Sequence, residues 1–288
     1  MVSPRWLLTG FALTLLLAAI CGYAALCLLF YQGQWQLLFH PAHSVAVTPA
    51  VPFDDLRFDV DETGHPRLDG WYIPAGSQYV IDTVLYLHDA RGSLSDCVPE
   101  ITTLHALGIN VFAFDYRGFG LSDNTHPTER LIAEDSIAAW TYLTDTRHVL
   151  PSHLIVFGSG VGAVFAARIG SQFAPAGVIL EDPSPSARQI FASDARARIL
   201  PLWLLQNEKL DPAPDLAAGH IPRLFLEVHG KPFVGPMGSE STRTRSLFEA
   251  SSYPKQYVDL RALSDSGPDS AFSKILRRFF DDTLTTAP

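Results

Sequence analysis

The sequence predicts an α/β fold with a mostly parallel central sheet covered by helices on both faces, plus one N-terminal transmembrane helix. Strand-like and helix-like segments alternate from residue 56 to residue 280, a pattern typical of parallel sheets with helical crossovers. A buried strand pattern at residues 154–157 runs through a glycine cluster into a helix. A long uncharged apolar run precedes all of these segments, at residues 7–30.

Composition agrees with one membrane segment followed by one ordinary domain. The chain has 288 residues, of which 47% are hydrophobic, and this is ample for a sizeable core. Its 21 Lys and Arg against 30 Asp and Glu give a net charge of −9, and no basic cluster interrupts the acidic character. Nucleic acids and anionic lipid surfaces are therefore not expected as partners.

Cysteine usage argues against disulfides and metal sites. Two of the three cysteines, Cys21 and Cys27, lie in the apolar run, which leaves Cys97 alone in the rest of the chain. A lone thiol cannot form a disulfide within its domain, and no Cys/His spacing suggests zinc. We expect Cys97 to be a small core residue, and we expect no metal and no cofactor.

The apolar run, residues 7–30, is long enough to span a bilayer at about 1.5 Å per residue. Arg5 precedes it, and no Lys or Arg follows before Arg57. The positive-inside rule therefore predicts a cytoplasmic N-terminus at residues 1–6 and an extracytoplasmic (periplasmic or exoplasmic) domain. A cleaved signal peptide is the alternative, but the run exceeds the usual apolar core of such peptides and has no clean cleavage site.

Beyond the anchor, the sequence predicts a connector at residues 31–52 and a domain at residues 53–288. Phe30, Tyr31, Trp35 and Phe39 predict an aromatic belt at the exit interface. Expected strands lie at residues 56–61, 68–73, 83–88, 110–115, 154–157, 177–181, 223–229 and 257–260. Expected helices lie at residues 94–107, 129–143, 160–169, 186–216, 240–251 and 269–280.

The Gly-rich corner fits a nucleophile elbow, the strand–turn–helix corner that carries the serine of α/β-hydrolases. Such an elbow needs glycine two places before and two places after the nucleophile, and Gly158 and Gly162 fill these places. The residue between them is Gly160, which has no nucleophile. Centring the elbow on Ser159 instead would put Phe157 and Val161 at the glycine positions, where their side chains are too large.

Three further segments resemble one family. Residues 114–122 read Phe-Asp-Tyr-Arg-Gly-Phe-Gly-Leu-Ser, similar to a D-Y-R-G-x-G-x-S turn, and Gln-Leu-Leu-Phe-His-Pro at 36–41 and Asp-Gly-Trp-Tyr at 69–72 also match. The chain thus resembles membrane-anchored α/β-hydrolases of the serine-aminopeptidase-like type, related to the bud-emergence proteins of yeast and plants. The resemblance covers roughly residues 34–280.

The resemblance implies a Ser–Asp–His triad, but the matching positions hold other residues. The nucleophile position is Gly160, the acid position of an H-G-x-x-D pattern is Phe233, and the histidine position after the last strand is Asp265. No histidine follows His229. The family pattern therefore implies a degenerate triad in this chain.

The resemblance also places an oxyanion loop at His88, Asp89 and Ala90, where the family has His-Gly. A carboxylate at Asp89 would oppose the stabilisation that an oxyanion hole gives, unless Arg91 neutralises it. If a triad has been rebuilt from other groups, the fallback candidates are Ser159, Asp182, His220 and His229, with Ser122, Ser184 and Glu181 as further candidates.

Three functions remain open. The first is a catalytically silent hydrolase fold that binds a small acyl or peptide-like ligand or a protein partner at the membrane. The second is an active serine hydrolase, esterase-like or peptidase-like, with a rearranged site. The third is a structural or interaction protein at the membrane, for which the cleft is irrelevant.

Overall fold

The computed structural model describes residues 4–43, 47–76, 82–229, 240–260 and 270–284. The described strands are β1 (His40–Pro41), β2 (Asp54–Val60), β3 (Pro66–Ile73), β4 (Thr83–Leu87), β5 (Arg91–Gly92), β6 (Asn110–Asp115), β7 (Leu154–Ser159), β8 (Gly177–Glu181), β9 (Arg223–Val228) and β10 (Lys255–Leu260). The described α-helices are α1 (Pro4–Gly33), α2 (Trp35–Leu38), α3 (Val98–Ala106), α4 (Glu129–Thr141), α5 (Gly162–Phe173), α6 (Ala187–Ser193), α7 (Leu202–Leu205), α8 (Ala213–Ala217), α9 (Glu240–Ala250) and α10 (Ala271–Leu284).

Eight of these strands form one sheet in the order β10-β9-β8-β7-β4-β6-β3-β2. The strands from β10 to β6 in this order are parallel, and β3 pairs antiparallel with both β6 and β2. A separate two-stranded sheet joins β1 to β5, so the chain that leaves α2 is tied to the segment after β4. The predicted mostly parallel, doubly covered sheet is confirmed.

The core is divided by the sheet because alternate side chains of each strand point to opposite faces. In β7, Val156 packs in the cluster that contains residues of α4 and α5, whereas Ile155 and Phe157 pack in the cluster that contains residues of α3 and α10. Cys97 is buried in the second cluster with 8% of its surface exposed, which confirms its expected core position.

The strand order reverses direction at β4, and this fixes where a site can lie. The chain passes from β4 to β6 on one side of β4 and then crosses to β7 on the other side. Ligands of open α/β sheets bind outside the carboxyl ends of the strands at such a switch point. The segment after β4 and the turn after β7 therefore meet at the natural site of this fold.

Several predicted helices are shorter or divided. The helix expected at residues 94–107 begins as a 3₁₀ turn, Leu94–Cys97, and continues as α3. The helix expected at 129–143 ends at Thr141 and is followed by a π-helical turn, Tyr142–Thr146. The region expected to be helical at 186–216 contains α6, a 3₁₀ turn, α7 and α8. Prolines at 201, 212 and 214 interrupt a continuous helix there.

The helix α1 is long and apolar enough to cross a membrane, with a mean hydropathy of 2.4 in its most apolar window and no burial of that window. The aromatic belt expected at its exit is placed differently. Phe39 is only 1% exposed, Trp35 stacks on His126, and Phe30 packs edge-on against Phe191. These three aromatic side chains pack against the rest of the chain, and Tyr31 is 46% exposed.

The family-like turn at residues 114–122 is held by a buried ion pair. The Arg117 Nε atom donates to Asp135 Oδ1 at 2.5 Å, and the Arg117 amide donates to the other carboxylate oxygen at 2.8 Å. Asp135 lies in α4 and is fully buried. This pair therefore ties the turn after β6 to the helix that covers it.

We expect Asp135→Asn to reduce the free energy of unfolding by about 3 kcal/mol, because it removes the buried carboxylate from a mostly buried guanidinium and leaves only the half-exposed Glu134 as a charged partner. For a domain of this size the midpoint of thermal unfolding should fall by roughly 6–12 °C. The measurement is a thermal melt of the full chain in detergent. The matched control is Arg245→Ala, since Arg245 pairs with Glu249 with 67% of its side chain exposed. Equal shifts in both variants would contradict the argument.

Candidate functional site

The corner between β7 and α5 has no space for side chains at its two outer glycines. A Cβ atom added to Gly158 would lie 2.4 Å from the Gly162 carbonyl oxygen, and one added to Gly162 would lie 2.1 Å from the Leu87 carbonyl oxygen. Both obstacles are backbone atoms, which cannot rotate away. The glycine spacing read from the sequence therefore reflects a real close approach of β7, α5 and β4.

Gly160 lies at the tip of this corner with φ of 57°, in the left-handed region that favours glycine. Its amide donates to the Glu181 carbonyl at 2.9 Å, and its carbonyl accepts from the Ser184 amide at 2.9 Å. The tip is thus fixed to the end of β8 and to the segment that follows it. The interpretation of Gly160 as the position of a lost nucleophile stays a prediction.

The carboxylate of Asp89 occupies the space in front of Gly160. Its Oδ1 atom accepts a hydrogen bond from the Val161 amide at 2.8 Å. A Cβ atom added to Gly160 would lie 2.0 Å from the same oxygen. Asp89 therefore fills the position that a side chain at residue 160 would need.

The Val161 amide is the group that would matter for acyl transfer. In α/β-hydrolases the residue after the nucleophile contributes one oxyanion-hole donor, and the loop after an earlier strand contributes the other. Here the donor at the N-terminus of α5 binds a carboxylate of the chain itself, where the helix dipole also favours negative charge. The geometry thus resembles an oxyanion hole that already holds an internal anion.

The sequence offered Arg91 as a partner for Asp89, but the ion pairs among the described residues do not include this pair. The Arg91 Nε atom is buried and makes no hydrogen bond with the part of the chain that is described. Ala90, between them, is 1% exposed, and its carbonyl accepts from the His40 amide at 2.7 Å. The loop after β4 is therefore hydrogen-bonded to the segment that follows α2.

His88 and Asp115 form a buried pair beneath this loop. Both side chains are completely buried, and His88 Nε2 lies 3.7 Å from Asp115 Oδ1. His88 Nδ1 is 2.7 Å from the Asp89 carbonyl oxygen, which can only accept, so Nδ1 carries the proton. The Tyr116 hydroxyl donates to the His88 carbonyl at 3.1 Å. His88 thus holds the backbone of the loop after β4 in place from below.

Burial controls the charge of this pair. Desolvation lowers the pKa of His88 to about 4, against a weaker upward effect of its hydrogen bond to the Asp89 carbonyl. Desolvation raises the pKa of Asp115 to about 7, opposed by the amide of Leu94. At neutral pH His88 is therefore a neutral side chain and not a charged partner.

Ser159 is the last residue of β7 and is 8% exposed. Because strand side chains alternate, Ser159 shares the sheet face of Ile155 and Phe157, away from α5. Its register partner on β8 is Glu181, a fully buried residue. The structure thus keeps Ser159 off the face that α5 covers.

His229 follows β9, two strands from β7 and so about 10 Å to the side. Its Nε2 atom lies 2.9 Å from Asp259 Oδ1 and 3.4 Å from Glu227 Oε1. Alternation along β9 places residues 227 and 229 on the sheet face opposite to Ser159. His229 therefore contacts two carboxylates, Glu227 on β9 and Asp259 on β10, and the structure does not bring it to Ser159.

The other fallback candidates have local structural roles. Asp182 accepts the Val228 amide at 2.9 Å and so links β8 to β9. His220 is exposed and precedes β9, at the edge of the sheet opposite to the corner. Ser122 bridges the Asp69 amide and the Asp115 carbonyl inside the family-like turn. The Ser184 hydroxyl lies 3.4 Å from the Pro185 carbonyl.

Two predicted positions, Phe233 and Asp265, lie outside the described residues. They stay predictions from the sequence. The sequence pointed to Asp89 through its charge, but the hydrogen bond from the Val161 amide to its carboxylate was not predicted, because that bond depends on the length of the side chain. A carboxylate one residue after the strand, opposite a glycine at residue 160, is the signal that would have found it.

Comparison with known proteins agrees with the fold. No family model matches the chain. An uncharacterized protein of Mycobacterium tuberculosis is 29% identical over 258 residues, which cover 88% of this chain and 89% of that protein. The α/β-hydrolase domain-containing protein 17C of Xenopus tropicalis is 32% identical over 122 residues, covering 42% of this chain and 38% of that protein.

Among solved structures, the Pyrococcus furiosus esterase Pf2001 superposes with a TM-score of 0.63 at 17% identity. The match covers 86% of this chain and 98% of the esterase. At this identity the likeness shows the fold alone. The chain therefore has an α/β-hydrolase fold, preceded by a helix long enough to span a membrane.

The contact between residue 160 and Asp89 predicts non-additive stability changes. Gly160→Ala should reduce the free energy of unfolding by about 2–3 kcal/mol, since it adds both a strained φ and a clash. In an Asp89→Ala background the same change should cost only about 1–2 kcal/mol, because the strained φ remains and the clash is gone. Thermal melts of the four full-length proteins in detergent measure the difference.

Gly64→Ala is the matched control for that cycle. Gly64 also has a positive φ, of 86°, but an added Cβ would meet nothing within 4 Å. Its cost should be the same in the wild-type background and in the Asp89→Ala background. If the cost of Gly160→Ala is equally insensitive to Asp89, the carboxylate does not occupy the position described.

The His88–Asp115 pair predicts opposite pH dependences for two variants. Between about pH 4 and 6.5 the folded state holds fewer protons on His88 than the unfolded state, so His88 makes stability rise with pH. From about pH 4 to 7 the folded state holds more protons on Asp115 than the unfolded state, so Asp115 makes stability fall as pH rises. The two contributions largely cancel in the wild-type protein.

Relative to wild type, Asp115→Asn should therefore gain stability as pH rises through this range, and His88→Gln should lose it. Each change should reach on the order of 2 kcal/mol. Thermal melts between about pH 4.5 and 7 measure both slopes. If the stability of each variant relative to wild type does not vary with pH, these two groups titrate alike in the folded and unfolded chains, and the argument is contradicted.

Proposed function

We propose that this protein is a membrane-anchored α/β-hydrolase-fold protein without serine-hydrolase catalysis, which serves as a binding protein. The observation that carries the proposal is the Asp89 carboxylate on the Val161 amide in front of Gly160. Acyl transfer needs a nucleophile, a base and a donor for the developing oxyanion. At this corner residue 160 supplies no nucleophile, and the Val161 donor is already used.

The electrostatics of the corner support the same conclusion. Loss of one oxyanion-hole donor costs roughly 3–4 kcal/mol of transition-state stabilisation in serine proteases. Here a carboxylate occupies the donor, and it repels an oxyanion. The sequence adds Phe233 at the acid position and Asp265 at the histidine position. A hydrolase that kept its reaction would need a base from elsewhere, and Ser159 and His229 occupy opposite faces of the sheet.

We further propose the serine-aminopeptidase-like, bud-emergence-related subgroup, on the turn at residues 114–122 and the segments at 36–41 and 69–72. The proposed topology is a single span with residues 1–6 in the cytoplasm. Residues 31–52 connect the span to an extracytoplasmic domain at residues 53–288. The support is Arg5 before the apolar helix and the lack of Lys and Arg up to Arg57.

The proposed ligand is a small acyl or peptide-like molecule, or a protein partner, at the switch point above the sheet. The fold places its binding region there. The Asp89 carboxylate fills the space in front of Gly160, so it would line this region. The segment after β8 is attached to the same corner, because the Ser184 amide donates a hydrogen bond to the Gly160 carbonyl.

The test is covalent labelling of the full chain in detergent with a fluorophosphonate probe, beside Gly160→Ser and the double variant Gly160→Ser/Asp89→Gly. We expect no labelling in any of the three, because no imidazole base is placed at residue 160 by the part of the chain that the structure describes. A known serine esterase, labelled under the same conditions, is the positive control.

Labelling of the wild-type chain at one serine would overturn the proposal, and Ser159→Ala would show whether that serine is Ser159. Hydrolysis of short-chain esters that is unchanged in every variant would identify a contaminant. Labelling of the double variant alone would show that only residues 89 and 160 have changed from an active site.

A further inference from the structure

The helix α1 is longer than a bilayer core requires. Its 30 residues extend about 45 Å, against about 30 Å for the hydrocarbon region. The helix must therefore tilt as a whole, or roughly a third of its length must continue into the lipid headgroups. In the proposed orientation, with residues 1–6 in the cytoplasm, the last third of the helix ends at the opposite membrane surface, and a segment that packs against it lies near that surface.

The segment around α6 and α7 packs against that last third. The Tyr23 hydroxyl donates to the Ile199 carbonyl at 2.9 Å, and the Phe30 ring meets the Phe191 ring at 5.4 Å between centroids. Tyr23 lies ten residues before the end of α1, or about 15 Å along the helix axis. Ile199 is thus held beside the anchor, well inside its end.

A buried glutamine completes this attachment. Gln34 is 4% exposed, and its Nε2 atom donates to the Leu205 carbonyl at 3.2 Å. Its Oε1 atom accepts from the Asn207 amide at 3.2 Å. The side chain just after α1 therefore holds the end of α7, so the position of residues 199–205 relative to the anchor is fixed at both ends.

The residues held in this way are apolar and exposed. Residues 199–205 read Ile-Leu-Pro-Leu-Trp-Leu-Leu, without a charge. Trp203 is 85% exposed, and Ile199 and Leu204 are each 65% exposed. Leu28 and Leu29 of the anchor are also exposed. An apolar surface of this kind beside a membrane helix needs an apolar environment.

We propose that Ile199, Trp203 and Leu204, here called the membrane-facing patch, insert into the lipid bilayer beside α1. The inference rests on the anchoring that is part of the proposed function. The bilayer is the occupant because the patch continues the apolar surface of α1 at the same depth. Tryptophan is the side chain typical of the membrane interface, and the adjacent exposed Arg198 can reach the headgroups.

The experiment uses the full chain in phosphatidylcholine vesicles, with and without bromine on the lipid acyl chains near the headgroup. Tryptophan emission is compared for the wild type and Trp203→Phe, and the difference reports on Trp203. We expect brominated lipid to reduce this difference signal roughly twofold, as for an interfacial aromatic side chain. An unquenched Trp203 would overturn the proposal, and a blue-shifted but unquenched emission would identify a protein contact instead.

Two controls separate the patch from the anchor. Trp6 lies in α1 and is 72% exposed, so the wild type minus Trp6→Phe reports on anchoring alone. If Trp6 is quenched and Trp203 is not, the insertion of the membrane-facing patch is refuted, and the proposed anchoring by α1 still holds. If neither Trp6 nor Trp203 is quenched by brominated lipid, the proposed anchoring itself is refuted.

The second control moves the tryptophan to the other side of the domain. Leu150 is 60% exposed and precedes β7, at the amino edge of the sheet. In Trp203→Phe/Leu150→Trp the new tryptophan should not be quenched by brominated lipid. Quenching equal to that of Trp203 would show non-specific contact and overturn the proposal.

Discussion

The close approach of β7, α5 and β4 is the constraint from which the site follows. Gly158 and Gly162 have backbone atoms within 2.4 Å and 2.1 Å of where a Cβ would be, so the chain must turn within a few residues. That turn directs the first amides of α5 toward the loop after β4. Any anion on that loop within reach of residue 161 meets a hydrogen-bond donor at a helix N-terminus. In this chain the anion is the side chain of Asp89.

An internal carboxylate at this position changes what the fold can do. A hydrolase leaves its oxyanion donors free so that they bind charge only as it develops. Here the Val161 amide is bound in the resting protein at 2.8 Å. The interaction stabilises the corner, and it places a negative charge where acyl transfer would create one. The bond between Asp89 and the Val161 amide thus contributes to the stability of this corner.

The sequence was sufficient for the framework of the fold and the glycine corner. Alternating segments predicted the parallel sheet, and the Gly158–Gly162 spacing predicted the close approach, because both follow from local patterns. The Asp89–Val161 bond joins residues 72 positions apart. It depends on a register between β4 and β7 that no local pattern gives. Three of the aromatic residues expected in the belt, Phe30, Trp35 and Phe39, were misplaced for a related reason. A belt and a packed contact have the same composition, and only the tertiary structure shows that Trp35 stacks on His126.

The segment after β8 connects the two parts of the molecule that have been treated separately. It starts at the corner, where the Ser184 amide donates to Gly160, and it ends at the anchor, where Gln34 binds Leu205 and Asn207. Between these points it carries the exposed apolar side chains of residues 199–204. The placement of these apolar side chains beside α1 and the closure of the corner at Gly160 therefore depend on one continuous segment, which is hydrogen-bonded at both ends.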